Sequence, residues 1–136
     1  MRPPVPQGLL REFPASKGGM VGPYYVPPGT QVHCPTWSLH HDERYFEKPD
    51  SWIPERWTSK PGLIKDKRAF VPFGLGPMGC AGKHFAMQEM KVFLAKVIIA
   101  FDISFEDGDN GSKLLMDNKD CFTIALPSQT MMFQPR

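Results

Sequence analysis

The chain has 136 residues, with 16 Lys+Arg against 14 Asp+Glu and a formal net charge of +2, too weak a bias for a nucleic-acid or anionic-membrane face. Its 15 Pro are about twice the usual ~5%, but 41% hydrophobic and 12% aromatic content exclude a disordered linker and supply a core for at most one domain. No apolar run nears the ~20 residues of a membrane span; the run from Val97 to Phe101 is cut upstream by Lys96.

The opening Met1-Arg2-Pro3-Pro4-Val5-Pro6 lacks the apolar centre of a signal peptide, so the chain is expected on the reducing side of the membrane. Val5 to Arg11 reads as extended. Met20 to Val26 and Gln31 to Trp37 are expected as two strands of a hairpin joined by Pro27-Pro28-Gly29, where Pro at the first corner and Gly at the second suit a type II turn. Asp42 is placed to cap a short helix through Phe46 that ends before Pro49, and Pro54-Glu55-Arg56-Trp57 to begin a further short turn. A Gly-dense loop, Phe73 to Gly82, precedes the one strong helix, about Lys83 to Phe101. Ala86, Met90, Phe93, Leu94, Val97, Ile98 and Phe101 step by three and four, which predicts one core face. Phe101 to Phe105 and Thr123 to Leu126 are strand-like, with a polar, Gly-rich loop at Glu106 to Ser112. The expected organisation is thus α+β within one piece: a hairpin and P-E-R-W region at 1–69, the loop at 70–82, the helix at 83–101, and a strand and tail hairpin at 102–136.

Three cysteines, Cys34, Cys80 and Cys121, are odd in number and contain no C-x-x-C pair, so neither a disulfide framework nor a zinc ribbon is supported. Cys80 differs from the others in its surroundings, Phe70 to Met90, FVPFGLGPMGCAGKHFAMQEM. Close glycines at 76, 79 and 82 let the backbone turn sharply and approach a flat ligand, and the amides of a loop and a helix start favour a thiolate, the form of cysteine that ligates metals. Taken alone, Cys80 reads first as a small buried hydrophobe, the common state of a free cysteine. A zinc pair of Cys80 with His84 lacks the further ligands a structural zinc takes. Cys34 and Cys121 keep the buried-hydrophobe reading, and His33, His40 and His41 that of strand and turn residues with ordinary hydrogen bonds.

Phe73, Gly76, Cys80 and Gly82 together match F-x-x-G-x-x-x-C-x-G, and the chain resembles the cytochrome P-450 haem-thiolate monooxygenases that carry this signature. Three stretches resemble the family in the same order: Tyr25-Val26-Pro27-Pro28-Gly29-Thr30 its I-P-x-G-T hairpin, Ser38-Leu39-His40-His41-Asp42 its L-H-R-D stretch, and Trp52 to Trp57 its P-E-R segment. The resemblance implies the C-terminal part of a mostly helical fold. It also implies haem as cofactor with Cys80 as axial thiolate to the iron, and haem contacts from Phe73, Gly74, Gly76, Gly82 and Arg11, the last to a propionate. By the same resemblance Arg56 is the third member of a Glu-Arg-Arg network, and Val5 to Leu10 and Asn118 to Phe122 wall the substrate. Met78 departs from the family's Arg or His at that position, which shifts the charged grip toward Arg11. The family's E-x-x-R helix is expected immediately before Met1, in a longer parent.

The implied partners are a small organic substrate, dioxygen and an electron-donating reductase, with Lys83 and Lys91 as candidates to meet an acidic donor, against the plainer reading of solvated helix lysines. The implied place is intracellular, with the endoplasmic reticulum membrane open to a full-length parent. From another class stands a non-catalytic truncated relative or a haem-binding fragment, and the 136 residues by themselves are expected to be inactive.

Overall fold

The structure, a computed structural model, describes residues 3–136 apart from the side chain of Leu115; Met1 and Arg2 of the opening segment lie outside the described residues. Contacts divide the chain between Pro72 and Phe73 into two compact units, each described by itself.

In the first unit, short strands pair where Gly and Pro turn the chain. Strands β1 (Arg11–Glu12), β2 (Gly19–Val21), β3 (Tyr24–Val26) and β4 (Gln31–Val32) form two antiparallel ribbons: β1 with β4, Arg11 opposite Val32, and β2 with β3, Gly19 opposite Val26. The hairpin expected between residues 20–26 and 31–37 is therefore corrected. Gly22, at φ 58°, breaks the first run into a hairpin of its own, because Gly at the first of two central residues suits a tight antiparallel connection. The Pro27 to Thr30 turn is present, Thr30 N–H donating to the Pro27 carbonyl at 3.4 Å, but it returns the chain to β1. Val5 to Arg11 is extended only toward its end, since Gly8 N–H closes a turn onto Val5 O at 3.3 Å.

Helix α1 (Thr36–His40) includes Trp37, which the residue pattern places in a strand. The helix expected from Asp42 is a single turn: Tyr45 and Phe46 N–H both donate to the Asp42 carbonyl at 3.0 Å, and Phe46 then bridges Ile64 in antiparallel fashion. Short 3₁₀ turns come next at Pro54–Trp57, Pro61–Leu63 and Lys67–Ala69. The core is small. Phe46 is fully buried with Ile64 and Ala69, and burying a Phe side chain contributes about 2–3 kcal/mol. His40 at 1% and Arg56 at 2% exposure are the buried polar groups beside it, so each must find hydrogen-bond partners.

The second unit runs from the Gly-dense loop into helix α2 (Lys83–Ala100), strand β5 (Phe101–Phe105), a turn of helix α3 (Lys113–Met116), and strands β6 (Lys119–Cys121), β7 (Thr123–Ala125) and β8 (Met131–Pro135). The chain leaves α2 by turning extended at Phe101, and β5 pairs with β8 over its whole length, Phe101 opposite Pro135 and Phe105 opposite Met131. Phe101 and Phe133 meet edge to face at 5.7 Å, and Arg136 Nε donates to Asp102 at 2.8 Å, closing the ribbon's end. β6 and β7 form the tail hairpin.

The core face expected on α2 is not covered among these residues. None of its residues is buried, and Phe85, Phe93, Leu94, Ile98 and Ile99 are all more than half exposed. Phe85, Val92 and Ile99 stand outside the expected stripe, so the helix is apolar around much of its circumference, a pattern belonging to enclosed helices. No described helix is long and apolar enough to cross a membrane.

Candidate functional site

The loop before α2 is closed by its own backbone. Cys80 N–H donates to the Phe73 carbonyl at 2.8 Å, and Gly79 N–H to the Gly76 carbonyl at 2.9 Å, so the first and the cysteine positions of the motif face each other across a ring of chain. Gly74 and Gly76 have φ of 70° and 72°, which side-chain-bearing residues resist by about 1–2 kcal/mol. A Cβ at Gly79 would lie 3.2 Å from the Gly76 carbonyl oxygen, tight enough to spread the ring. These are physical reasons for glycine at three places in this short loop.

The sulfur is presented rather than packed away. Cys80 is exposed and is not packed away among these residues. Cys34 and Cys121 are exposed among these residues too, not packed as small hydrophobes here, but neither lies in such a loop. Gly82 is the residue at the start of α2, where no side chain caps the helix, and Lys83 N–H bonds back to the Cys80 carbonyl at 3.3 Å. A Cβ at Gly82 would stand 3.8 Å from the Cys80 sulfur, so glycine keeps that approach open. Leu75, Met78 and Phe85 expose apolar side chains on the same stretch, at 70%, 67% and 74%. A soft sulfur donor, an open flank and apolar neighbours fit a flat, largely apolar iron macrocycle bound by one thiolate. Around Cys80 and His84, as elsewhere among the described residues, no cluster of three or more His, Cys, Asp or Glu suited to a metal occurs.

The other sequence-selected residues belong to the first unit. Arg11 lies half-buried in β1 and donates from Nη1 to the Leu10 carbonyl at 3.0 Å. Arg56 is no surface arginine. Its guanidinium donates to the carbonyls of Glu47 and Lys48 at 2.9 Å and of Ser51 at 3.3 Å, stapling a bend in which Lys48 takes the left-handed conformation at φ 48°. His40, read from sequence as an ordinary turn residue, is instead buried at the end of α1, its Nε2 accepting the Val71 N–H at 3.0 Å. Burial above all, with the neighbouring His41 charge, lowers its pKa to about 4, so the ring stays neutral. No local sequence signal announces this partner 31 residues away.

The family model for cytochrome P-450 matches residues 1–134. The chain belongs to the cytochrome P-450 family. It is 37% identical over its whole length to the cytochrome P-450 monooxygenase orf5 of Eupenicillium brefeldianum, covering 28% of that protein. Over 86% of the chain it is 38% identical to the monooxygenase lcsK of Purpureocillium lilacinum, covering 21% of it. Tryprostatin B 6-hydroxylase of Aspergillus fumigatus is 29% identical over the whole chain, which covers 24% of that enzyme. A solved zebra fish cytochrome P-450, a structure with abiraterone, superimposes with a TM-score of 0.81 at 25% identity, over 99% of this chain and 30% of its own. The chain thus spans about a quarter of these P-450 relatives, and its short hairpins and single long helix are a mixed α and β portion of that fold.

Proposed function

We propose that these residues form the thiolate side of a haem site in a cytochrome P-450 monooxygenase, with Cys80 as the axial ligand. The observation that carries this reading is the exposed Cys80 sulfur on a hydrogen-bonded, glycine-shaped ring at the start of α2. Bound haem would supply reductive activation of dioxygen and transfer of one oxygen atom to a small organic substrate, with electrons from a reductase. The chain's own part is positional. The Phe73 to Gly82 loop holds the sulfur, Gly74, Gly76 and Gly82 keep backbone close and side chains absent, and Leu75 and Met78 offer apolar cover on the flank of the sulfur.

Arg11 is assigned a propionate, since guanidinium pairs with carboxylate through two parallel bonds, and Met78 has no charge to share that task. The tail hairpin is assigned to the substrate wall: Phe122, at its corner, is held at φ 74° and is 65% exposed, an unfavoured conformation that presents an aromatic ring. Lys83 and Lys91, both exposed on α2, are offered to an acidic electron donor. The wide apolar exposure of α2 supports the view that the 136 residues alone do not catalyse oxygenation.

The test uses the full-length protein that carries this segment. Cys80→Ser should abolish the long-wavelength Soret band of the reduced carbon-monoxide complex, which requires thiolate ligation, while Cys34→Ser and Cys121→Ser leave it in place. A band that survives Cys80→Ser rejects the assignment. Arg11→Ala should release haem to apomyoglobin at least about tenfold faster, the size of one lost charge-assisted pair, and unchanged transfer rejects the propionate role.

A further inference from the structure

We propose that His40 is a positioning residue for the cysteine loop, its imidazole holding the backbone of Val71 and so limiting the freedom of the chain that leads into Phe73. This deepens the haem-thiolate reading and rests on it.

The His40 ring is 1% exposed and fixed on two sides, stacked on Phe70 at 5.2 Å and edge-on to Phe46 at 6.3 Å. Phe70 is itself braced by Trp57 at 4.5 Å. Nε2 receives the Val71 N–H at 3.0 Å, which requires an unprotonated Nε2 and leaves the proton on Nδ1. A His40 pKa lowered to about 4 agrees with that tautomer.

The chain beyond this amide is stiff. As the residue before Pro72, Val71 is confined to extended conformations, and the Pro72 ring fixes its own φ. Once the Val71 amide is held, few free torsions remain before Phe73, whose carbonyl receives the Cys80 N–H at 2.8 Å. The anchor is thus two residues upstream of the atom that closes the sulfur-bearing ring. An apolar residue at position 40 would fill the space and leave the part-buried Val71 amide without this acceptor.

Two polar replacements separate acceptor position from volume. In His40→Gln the side-chain oxygen reaches about as far as Nε2; in His40→Asn it stops near the level of Nδ1. The measurements, on the full-length haem-loaded protein, are amide hydrogen exchange at Val71 and the rate at which the reduced carbon-monoxide complex loses its thiolate band. The Gln protein should stay within about twofold of the parent in both, and the Asn protein should be about tenfold faster in both, as for one lost part-buried hydrogen bond. Equal behaviour of the two variants, or loss of the fold in both by circular dichroism, overturns the proposal. Cys80→Ser runs alongside: a band that persists there rejects the ligand reading, whereas Gln and Asn proteins alike beside a normal Cys80 response reject only the positioning role.

Discussion

The bend around Arg56 and the helix after Cys80 satisfy their side chains in opposite ways. Residues 40 to 70 are short turns with almost no regular structure, yet they bury a histidine, an arginine and a phenylalanine and pair the polar ones with backbone. Helix α2 is regular for 18 residues and buries none of them. Regularity and self-sufficiency are therefore independent: a helix satisfies its own backbone but not its side chains, whereas an irregular bend becomes stable only if a side chain such as Arg56 takes up the carbonyls that no ladder uses.

The strongest way to break this contrast is Arg56→Ala in the full-length protein. Three carbonyls lose a charged donor in a buried place, and the expected loss is about 4 kcal/mol, read as a shift of the urea midpoint at unchanged slope. A loss below ~1 kcal/mol would make the arginine ornamental and the bend self-supporting.

Acid comes next. Folded His40 remains neutral down to a pKa of about 4, while in the unfolded chain it takes up a proton near 6.5. Below pH 6.5 the unfolded state binds more protons, so stability falls as pH falls and levels off under pH 4, by about 3 kcal/mol in all. Urea midpoints from pH 7 to 4 should show this limb, and His40→Gln should remove it. A limb of the same size in the Gln protein would move the titration to another group.

The smallest effect sharpens the other side of the comparison. Ile99 is 74% exposed within these residues, but an all-round apolar helix belongs inside a protein. Ile99→Ala should cost the full-length protein about 2 kcal/mol, as a partly collapsible core site does. A change within ~0.5 kcal/mol, the range of ordinary surface substitutions, would show that this side of α2 stays in water.

The same contrast explains what could be read from the amino-acid order. The loop and α2 were legible because local chemistry dictates them: glycines at 76, 79 and 82, and a run of good helix formers from Lys83. Within that stretch the apolar surface is wider than the single stripe of threes and fours, since Phe85, Val92 and Ile99 extend it. The first unit was harder. Gln31 and Val32 pair with Glu12 and Arg11, not with the adjacent strand, and nothing in a run of two residues selects its partner. β8, MMFQP, has neither alternation nor β-branching and exists because β5 offers it an edge. Cys80 and the motif glycines stood out at once, while His40 did not: its role depends on an amide far along the chain, and one histidine beside another in L-H-H-D signals no such reach.

The Phe73 to Cys80 hydrogen bond makes this stretch a clasp with a set number of links. Residues between its ends can change in character where φ is ordinary and a side chain has room, which leaves out Gly79, but a single added or removed residue must either open the clasp or shift the left-handed bends off Gly74 and Gly76. Length is the property such a clasp cannot trade. The polar turn from Glu106 to Ser112 is tied differently, by side chains: Asp109 accepts from the Gly111 amide at 2.8 Å and from Gln129 at 2.7 Å, so its count is set by carboxylate reach and not by a closed ring of backbone.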